Sequence, residues 1–547
     1  RVLFRSLAVL IAAGAAAGVF LQDRSRFAPS ASLSTADIID AAGVAAPLEF
    51  LASDRLGGRA PSTPGGEAAA AYLAEQLQAL GLAPAGDDGV YFQHVPVVES
   101  VIDRSALLSV GDTLPLRVFT DVVVSTGLSD PVVPVDAELV FAGFGIVAPE
   151  YDWDDYAGVD VRGKVVLVLV NEPQPTPSRP GLFAGPAMSY YGRWTYKYEE
   201  ALRQGAAGVL LVHTTESATY PWEVVQSSFG GVQHALPPQP GAPALRVRGW
   251  ITESAAGALV RQAGRDLDTL RQGALMRAAA VPLGVHLRGE LRQVVSQTTS
   301  PNVIGVLRGT EPAGAVLVTA HYDHLGTAPA TPGEPEGDRI YNGALDNASG
   351  VAGTLRIAAA LVQAPEKPRR SVYVVFTTGE EAGLLGAQYL AMHPPVPLAG
   401  ISAVVNVDEL NVFGPSRDLV LLGVERSTIG PTARALARRE GRVIAVDPEP
   451  EQGNFFRSDH FPFARAGVPA VSLSFPTQFV GPGAAAAQAL RDRFNTSDYH
   501  QPSDEVRPEW NYSGAVADLR LLAQLTWALA MAPEPARYYA ADPFARH

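Results

Sequence analysis

Two adjacent carboxylates, Glu380 and Glu381, close the stretch SVYVVFTTGEE at residues 371–381. Its β-branched and aromatic run shows no alternation and reads as a buried strand. Paired carboxylates at the end of such a strand are costly unless a cation or a proton intervenes. Taken alone they read as a solvated loop that opens a helix, because Glu favours a first turn. Their company changes that reading. HYDHLG at 321–326, LDNASG at 345–350, NVDELN at 406–411 and DYHQPSD at 498–504 each set a His or an Asp beside a strand end or a turn. His321, Asp346, Glu381, Asp408 and His500 supply two imidazoles and three carboxylates. That set suits a pair of zinc ions with one bridging carboxylate and a bridging water. Only one of Glu380 and Glu381 can easily point at a given metal, which leaves the other free to take the water's proton as general base. Asp323, two residues beyond His321, can face the same way and orient the imidazole.

The elements that must position these groups are legible from residue 302 onward. Strand patterns at 315–320, 373–378, 403–407 and 470–475 alternate with helical patterns at 349–362, 384–392 and 431–439. This order predicts an α/β fold, a mainly parallel central sheet with helices on both faces. Ligands of such sheets bind beyond the carboxyl ends of the strands. His321, Glu380 and Asp408 lie at or just past strand ends. Nearer the start, Thr63 is placed to cap a helix with Pro64 at its first position, and Leu73, Leu77 and Leu80 form its apolar stripe. Gly81 supplies the stop. Asp54 and Arg59, just before, read as a structural ion pair. From about residue 131 to 282, short apolar runs separated by Gly, Pro and acidic turns predict a compact β-rich module. Its DWDD turn at 152–155 lacks the spacing of a calcium loop and reads as a solvated acidic turn.

Composition narrows the chemistry. The 547-residue chain has no cysteine, so any metal must be held by His, Asp and Glu. A net charge of −14 disfavours nucleic acid as a partner. The apolar run at 7–21 suits a signal-peptide h-region, with an A-x-A-like cleavage site at 15–17 and an uncleaved membrane anchor as the alternative. A periplasmic or secreted protein is the expectation. RVLFRS at 1–6 back-translates to the tail of a common sequencing adapter, and read-through is the expectation for those residues. Other histidines, among them His94, His213, His234, His286 and His393, read as ordinary surface or core residues. His324 and His460 read as structural or pocket-wall groups. Neither H-E-x-x-H nor G-x-S-x-G occurs.

AHYDHLG, NGALDNASG, TTGEEAGLLG, NVD, RSDHFPFARAGVPA and YHQPSDE together resemble the M28 family of zinc-dependent exopeptidases. SDRLGGRAPSTPGGE and the segment from ELVFAGFGI to GKVVLVL resemble its bacterial branch, which carries an inserted protease-associated (PA) domain. With a leader expected at 1–28, the resemblance implies an N-terminal part of the peptidase domain at 29–130, the PA insertion at 131–285 and the catalytic domain at 286–547. It implies that one zinc takes His321, Asp346 and Asp408 and the other takes Asp346, Glu381 and His500. Glu380 is then the general base, Asp323 supports His321, and Tyr499 hydrogen-bonds the tetrahedral intermediate. It also implies a cis Asp346–Asn347 bond. One departure is Glu409-Leu410-Asn411, where relatives often carry an apolar pair and Gly; it bears on the floor of the substrate pocket. The implied activity is removal of N-terminal residues from peptides with a free N-terminus. A carboxypeptidase, a glutaminyl cyclase and a catalytically dead receptor-like protein are the alternatives on the same fold.

Overall fold

In the computed structural model, residues 32–239, 241–276, 280–328 and 337–545 are described, and the expected leader lies outside them. The strands expected at the centre of the sheet form it. Arg370–Thr377, Glu311–His321, Ile401–Asn406 and Ala470–Ser474 lie side by side in that order, all parallel. Antiparallel strands flank them: Val281–Leu307 next to Arg370–Thr377, and Asp418–Leu422 next to Ala470–Ser474. Alternate residues of Glu311–His321 feed separate cores. Val316 and Val318 enter one hydrophobic cluster, and Leu317 enters another. This is the period of two of a strand buried on both faces, and it explains why residues 315–318 are apolar without alternation. Helices Ala41–Leu51, Gly350–Val362 and Ser513–Met531 cover the first face. Leu385–Met392 and His460–Arg465 cover the second.

The helix Pro64–Ala79 begins as its sequence predicts, with the Thr63 side chain accepting from the Gly66 amide and Pro64 in the first turn. Arg59 does not follow its expectation. It is 1% exposed and donates to the backbone carbonyls of Leu51, Tyr322, Asn342 and Gly343. Asp54 instead accepts from the side-chain amide of Asn342. The planar five-donor fork of arginine lets one side chain tie several loops, and these are the loops that carry His321 and Asp346.

A second sheet is built from residues 107–292. Val132–Phe141, Val165–Leu169, Gly208–His213 and Val247–Thr252 run parallel in that order, with Val122–Ser125 antiparallel at the edge. Every residue of Val165–Leu169 and Gly208–His213 is buried, in the cores on the two faces of this sheet. The 27-residue strand Val281–Leu307 joins the two sheets. Its first part pairs with Val132–Phe141, and from Gln293 onward it pairs with Phe92–Ile102. The acidic turn of this unit is not solvated throughout. Asp155 is 2% exposed and accepts from the amides of Phe144 and Ile146, which closes the turn between them. Among the described residues no helix is long and apolar enough to cross a membrane.

Candidate active site

His321 ends its strand and turns its ring to the carboxyl edge of the sheet. Nδ1 lies 3.2 Å from the backbone oxygen of Asp323, and Nε2 lies 3.3 Å from Oδ1 of both Asp346 and Asp408. A proton held at Nδ1 by that carbonyl leaves the Nε2 lone pair facing the carboxylates. The Asp323 carboxylate is farther from Nδ1, at 3.9 Å, and its Oδ1 accepts from the Glu380 amide at 3.2 Å. Asp323 therefore steadies His321 through its main chain and the Glu380 turn through its side chain.

Asp346 sits in the Ala344–Ser349 turn that leads into the helix Gly350–Val362. Its two carboxylate oxygens face different histidines. Oδ1 is 3.3 Å from Nε2 of His321, and Oδ2 is 3.3 Å from Nε2 of His500. The Asp346–Asn347 bond is cis, as the resemblance implies. Asn347 links this turn to the Asp408 loop: Nδ2 donates to the Val407 carbonyl, while Oδ1 accepts from the Gly350 and Glu409 amides. A Cβ at Gly350 would lie 2.2 Å from Asn347 Oδ1 and 2.4 Å from the Val407 oxygen, so only glycine allows this approach. Asp504 accepts from the amides of Leu345 and Asp346.

Glu381 faces the other side of Asp346. Oε2 is 3.0 Å from Nε2 of His500, and Oε1 is 2.6 Å from Nδ1 of His324. Burial works to raise its carboxyl, but the charges of His500 and His324 outweigh it and bring the pKa down to about 2. Glu380 goes the opposite way. Burial, with Glu381, Asp408 and Asp459 adding to it against His321, pushes its carboxyl well above the usual range. The neighbouring glutamates are thus set apart by their surroundings, one kept ionised and one ready to hold a proton. Asp408 Oδ2 accepts from the Ser458 hydroxyl at 2.6 Å. The Tyr499 ring stacks on His500 with centroids 3.9 Å apart. Burial, then Asp346, Glu381 and Glu409, hold its hydroxyl well above the usual phenol range, so it stays a donor at neutral pH.

Among the described residues two groups gather three ligand atoms within 4.8 Å: His321, Asp346 and Asp408, and His324, Asp346 and Glu381. They share Asp346. His324 Nε2 is sealed from solvent without a hydrogen-bond partner. Buried nitrogen and carboxylate atoms of this kind fit a cation site. His324 thus stands inside the cluster, closer than a pocket wall, whereas His460 is fully buried against the Phe455 ring. In the segment that departs from the family pattern, Leu410 and Asn411 are buried, and the Asn411 side-chain amide donates to the Gly414 carbonyl.

Residues 302–523 match the family model described as peptidase family M28. They are an M28 peptidase domain. A probable zinc metalloprotease of Leptosphaeria maculans is 28% identical over 233 residues, 36% of this chain and 52% of that protein. Another, from Pyrenophora tritici-repentis, is 27% identical over 278 residues, 45% of this chain and 60% of that protein. The chain therefore spans about half the length of the curated relatives it matches. Among solved structures, an aminopeptidase from Aneurinibacillus sp. strain AM-1 superposes with a TM-score of 0.51 at 19% identity, covering 93% of this chain and 97% of that one. That likeness establishes the shared fold.

Sequence reasoning did not assign Ser228, Asn347, Ser458 or Asp504 a role at the site. Asn347, Ser458 and Asp504 lie within motifs quoted above, which was the available signal. Nothing local to Ser228 marks it.

Proposed function

We propose that this M28 protein is a two-zinc aminopeptidase that hydrolyses the N-terminal peptide bond of peptides. The observation that carries this reading is Asp346, whose two oxygens each face a different histidine at 3.3 Å. One carboxylate set between two imidazoles suits a pair of ions that share it. His321, Asp346 and Asp408 would hold one ion, and Asp346, Glu381 and His500 the other. His324, against the second oxygen of Glu381, orients that ligand. When bound, such a pair supplies Lewis-acid activation of water and neutralises developing negative charge.

The chain's own groups do the rest. Glu380 takes a proton from the attacking water and passes it to the leaving amine, a transfer its raised carboxyl favours. Tyr499 donates its hydroxyl to the oxyanion on the attacked carbonyl. The second sheet is a PA domain that shapes the cleft entrance. The protein is exported, which its apolar N-terminal run supports. Elemental analysis of zinc per chain, with rates on a panel of amino-acid p-nitroanilides, tests the reading. One zinc at saturation, or no release of p-nitroaniline from any unblocked substrate, would overturn it.

A further inference from the structure

The cleft beyond the candidate metal ligands has a volume of about 580 Å³, within the range of pockets that enclose small ligands. Glu380, Glu381 and His500 line it together with Arg193, Arg457 and Arg465. Arg465 is neutralised by Glu199 at 2.9 Å. Arg193 and Arg457 have no carboxylate partner among the described residues. The Nε atoms of both are sealed from solvent with no hydrogen-bond partner. Arg457 is anchored through Nη2, which donates to the Gln452 carbonyl at 2.8 Å and to Thr219 Oγ1 at 3.3 Å. Arg193 leads into the helix Trp194–Arg203 of the second sheet unit and passes Gly453 of the peptidase unit, so it crosses the seam between them.

The two guanidiniums act on each other. Burial first, then the charge of Arg457, lower Arg193 to about 9. Both lie within Coulombic reach of the Tyr499 hydroxyl, next to His500. Two like charges held together in a partly dehydrated cleft are costly without an anion. A carboxylate is the anion that the planar arginine fork matches best.

The geometry points to Arg193 and Arg457 as an anion subsite that takes a carboxylate of the bound peptide. This inference rests on the aminopeptidase reading for its substrate class. The substrate's ammonium would lie toward the glutamates and its carboxylate toward the arginines. That carboxylate is either the free C-terminus of a short peptide or an acidic side chain.

The test is calorimetric titration of zinc-loaded Glu380→Gln protein, in which turnover is removed. Three peptides serve: Ala-Leu-Ala, its C-terminal amide, and Ala-Leu-Glu amide. At least one carboxylate-bearing peptide should bind tenfold or more tighter than the neutral amide. Preference for the free acid assigns the C-terminus, and preference for the Glu amide assigns the side chain. The gap should close in Arg193→Met and Arg457→Met, which keep the apolar stem, with unchanged thermal unfolding as the control for folding. Equal binding of all three peptides, or a gap that persists in both variants, overturns the subsite. Glutarate separates this failure from failure of the peptidase reading. If it binds the parent and loses affinity in both arginine variants, the subsite stands even where no peptide binds. If neither glutarate nor any peptide binds, the subsite is refuted.

Discussion

Ser228 Oγ lies 3.3 Å from Nδ1 of His500, although 272 residues separate them in the chain. Ser228 belongs to the helix Trp222–Phe229 of the second sheet unit, and His500 faces Asp346 and Glu381 through its other nitrogen. A proton on Nδ1 that is donated to the serine leaves Nε2 free to act as a ligand. The second sheet unit therefore completes the support of the candidate metal site.

Removing that support should loosen one ion. Ser228→Ala should weaken the more labile zinc by about 10–100-fold, the usual effect of losing a group that orients a ligand. Competition with a chromogenic chelator measures it. Zinc affinity equal to the parent's would show that the contact holds the two units together without tuning His500.

The two central glutamates should separate by metal content. Glu380→Gln keeps shape and hydrogen bonding but cannot accept a proton at neutral pH, so the rate should fall by at least ~10²–10⁴-fold while zinc stays bound. Glu381→Gln should lower zinc content and thermal stability, because bound metal stabilises the native state, and excess zinc should restore part of the rate. Metal loss in Glu380→Gln with retention in Glu381→Gln would mean that the roles are exchanged.

N-terminal blocking tests the direction of cleavage. The carboxylates around His321 suit a free ammonium, so N-acetylation of a good peptide substrate should abolish turnover. C-terminal amidation should leave turnover at saturation in place. Cleavage of the acetylated peptide would favour a carboxypeptidase.

His460 should make stability fall in acid. Burial pushes its imidazole down to about 3, against about 6.5 in an unfolded chain. Between these values the unfolded chain takes up a proton that the folded chain does not, so unfolding gains as pH drops through the window. Denaturant titrations from pH 6.5 to 4 should show a shallower loss of stability in His460→Gln than in the parent. Identical slopes would mean that other groups account for all the acid sensitivity.

Arg59 should matter to the site without touching it. Arg59→Met would leave the carbonyls of Leu51, Tyr322, Asn342 and Gly343 short of a donor. Unsatisfied buried acceptors cost about 1–3 kcal/mol each, so the variant should lose at least about 2 kcal/mol in stability and bind zinc less tightly. Arg59→Lys should recover little, because an ammonium cannot span the same fork of acceptors.

The sequence alone determined the parallel strands, because a strand buried on both faces must be largely apolar without alternation, as 315–318 and 373–376 are. It also marked the candidate ligands, because metal-binding carboxylates and imidazoles at strand ends have few substitutes, and the motifs around them are short and contiguous. The Thr63 cap and the Gly81 stop were legible for the same reason: each is settled within one turn of helix. Arg59 was misread as a partner of Asp54 because its acceptors are backbone carbonyls, which every residue has and no sequence pattern advertises. Asp155 was misread because acidic turns are usually wet, and only packing shows that this one is enclosed. Ser228, Arg193 and Arg457 were decided by tertiary structure alone. They meet the cleft because the strand Val281–Leu307 runs through both sheets and sets the second unit against the first. That docking depends on surfaces assembled from residues far apart in the chain, and no local spacing encodes it.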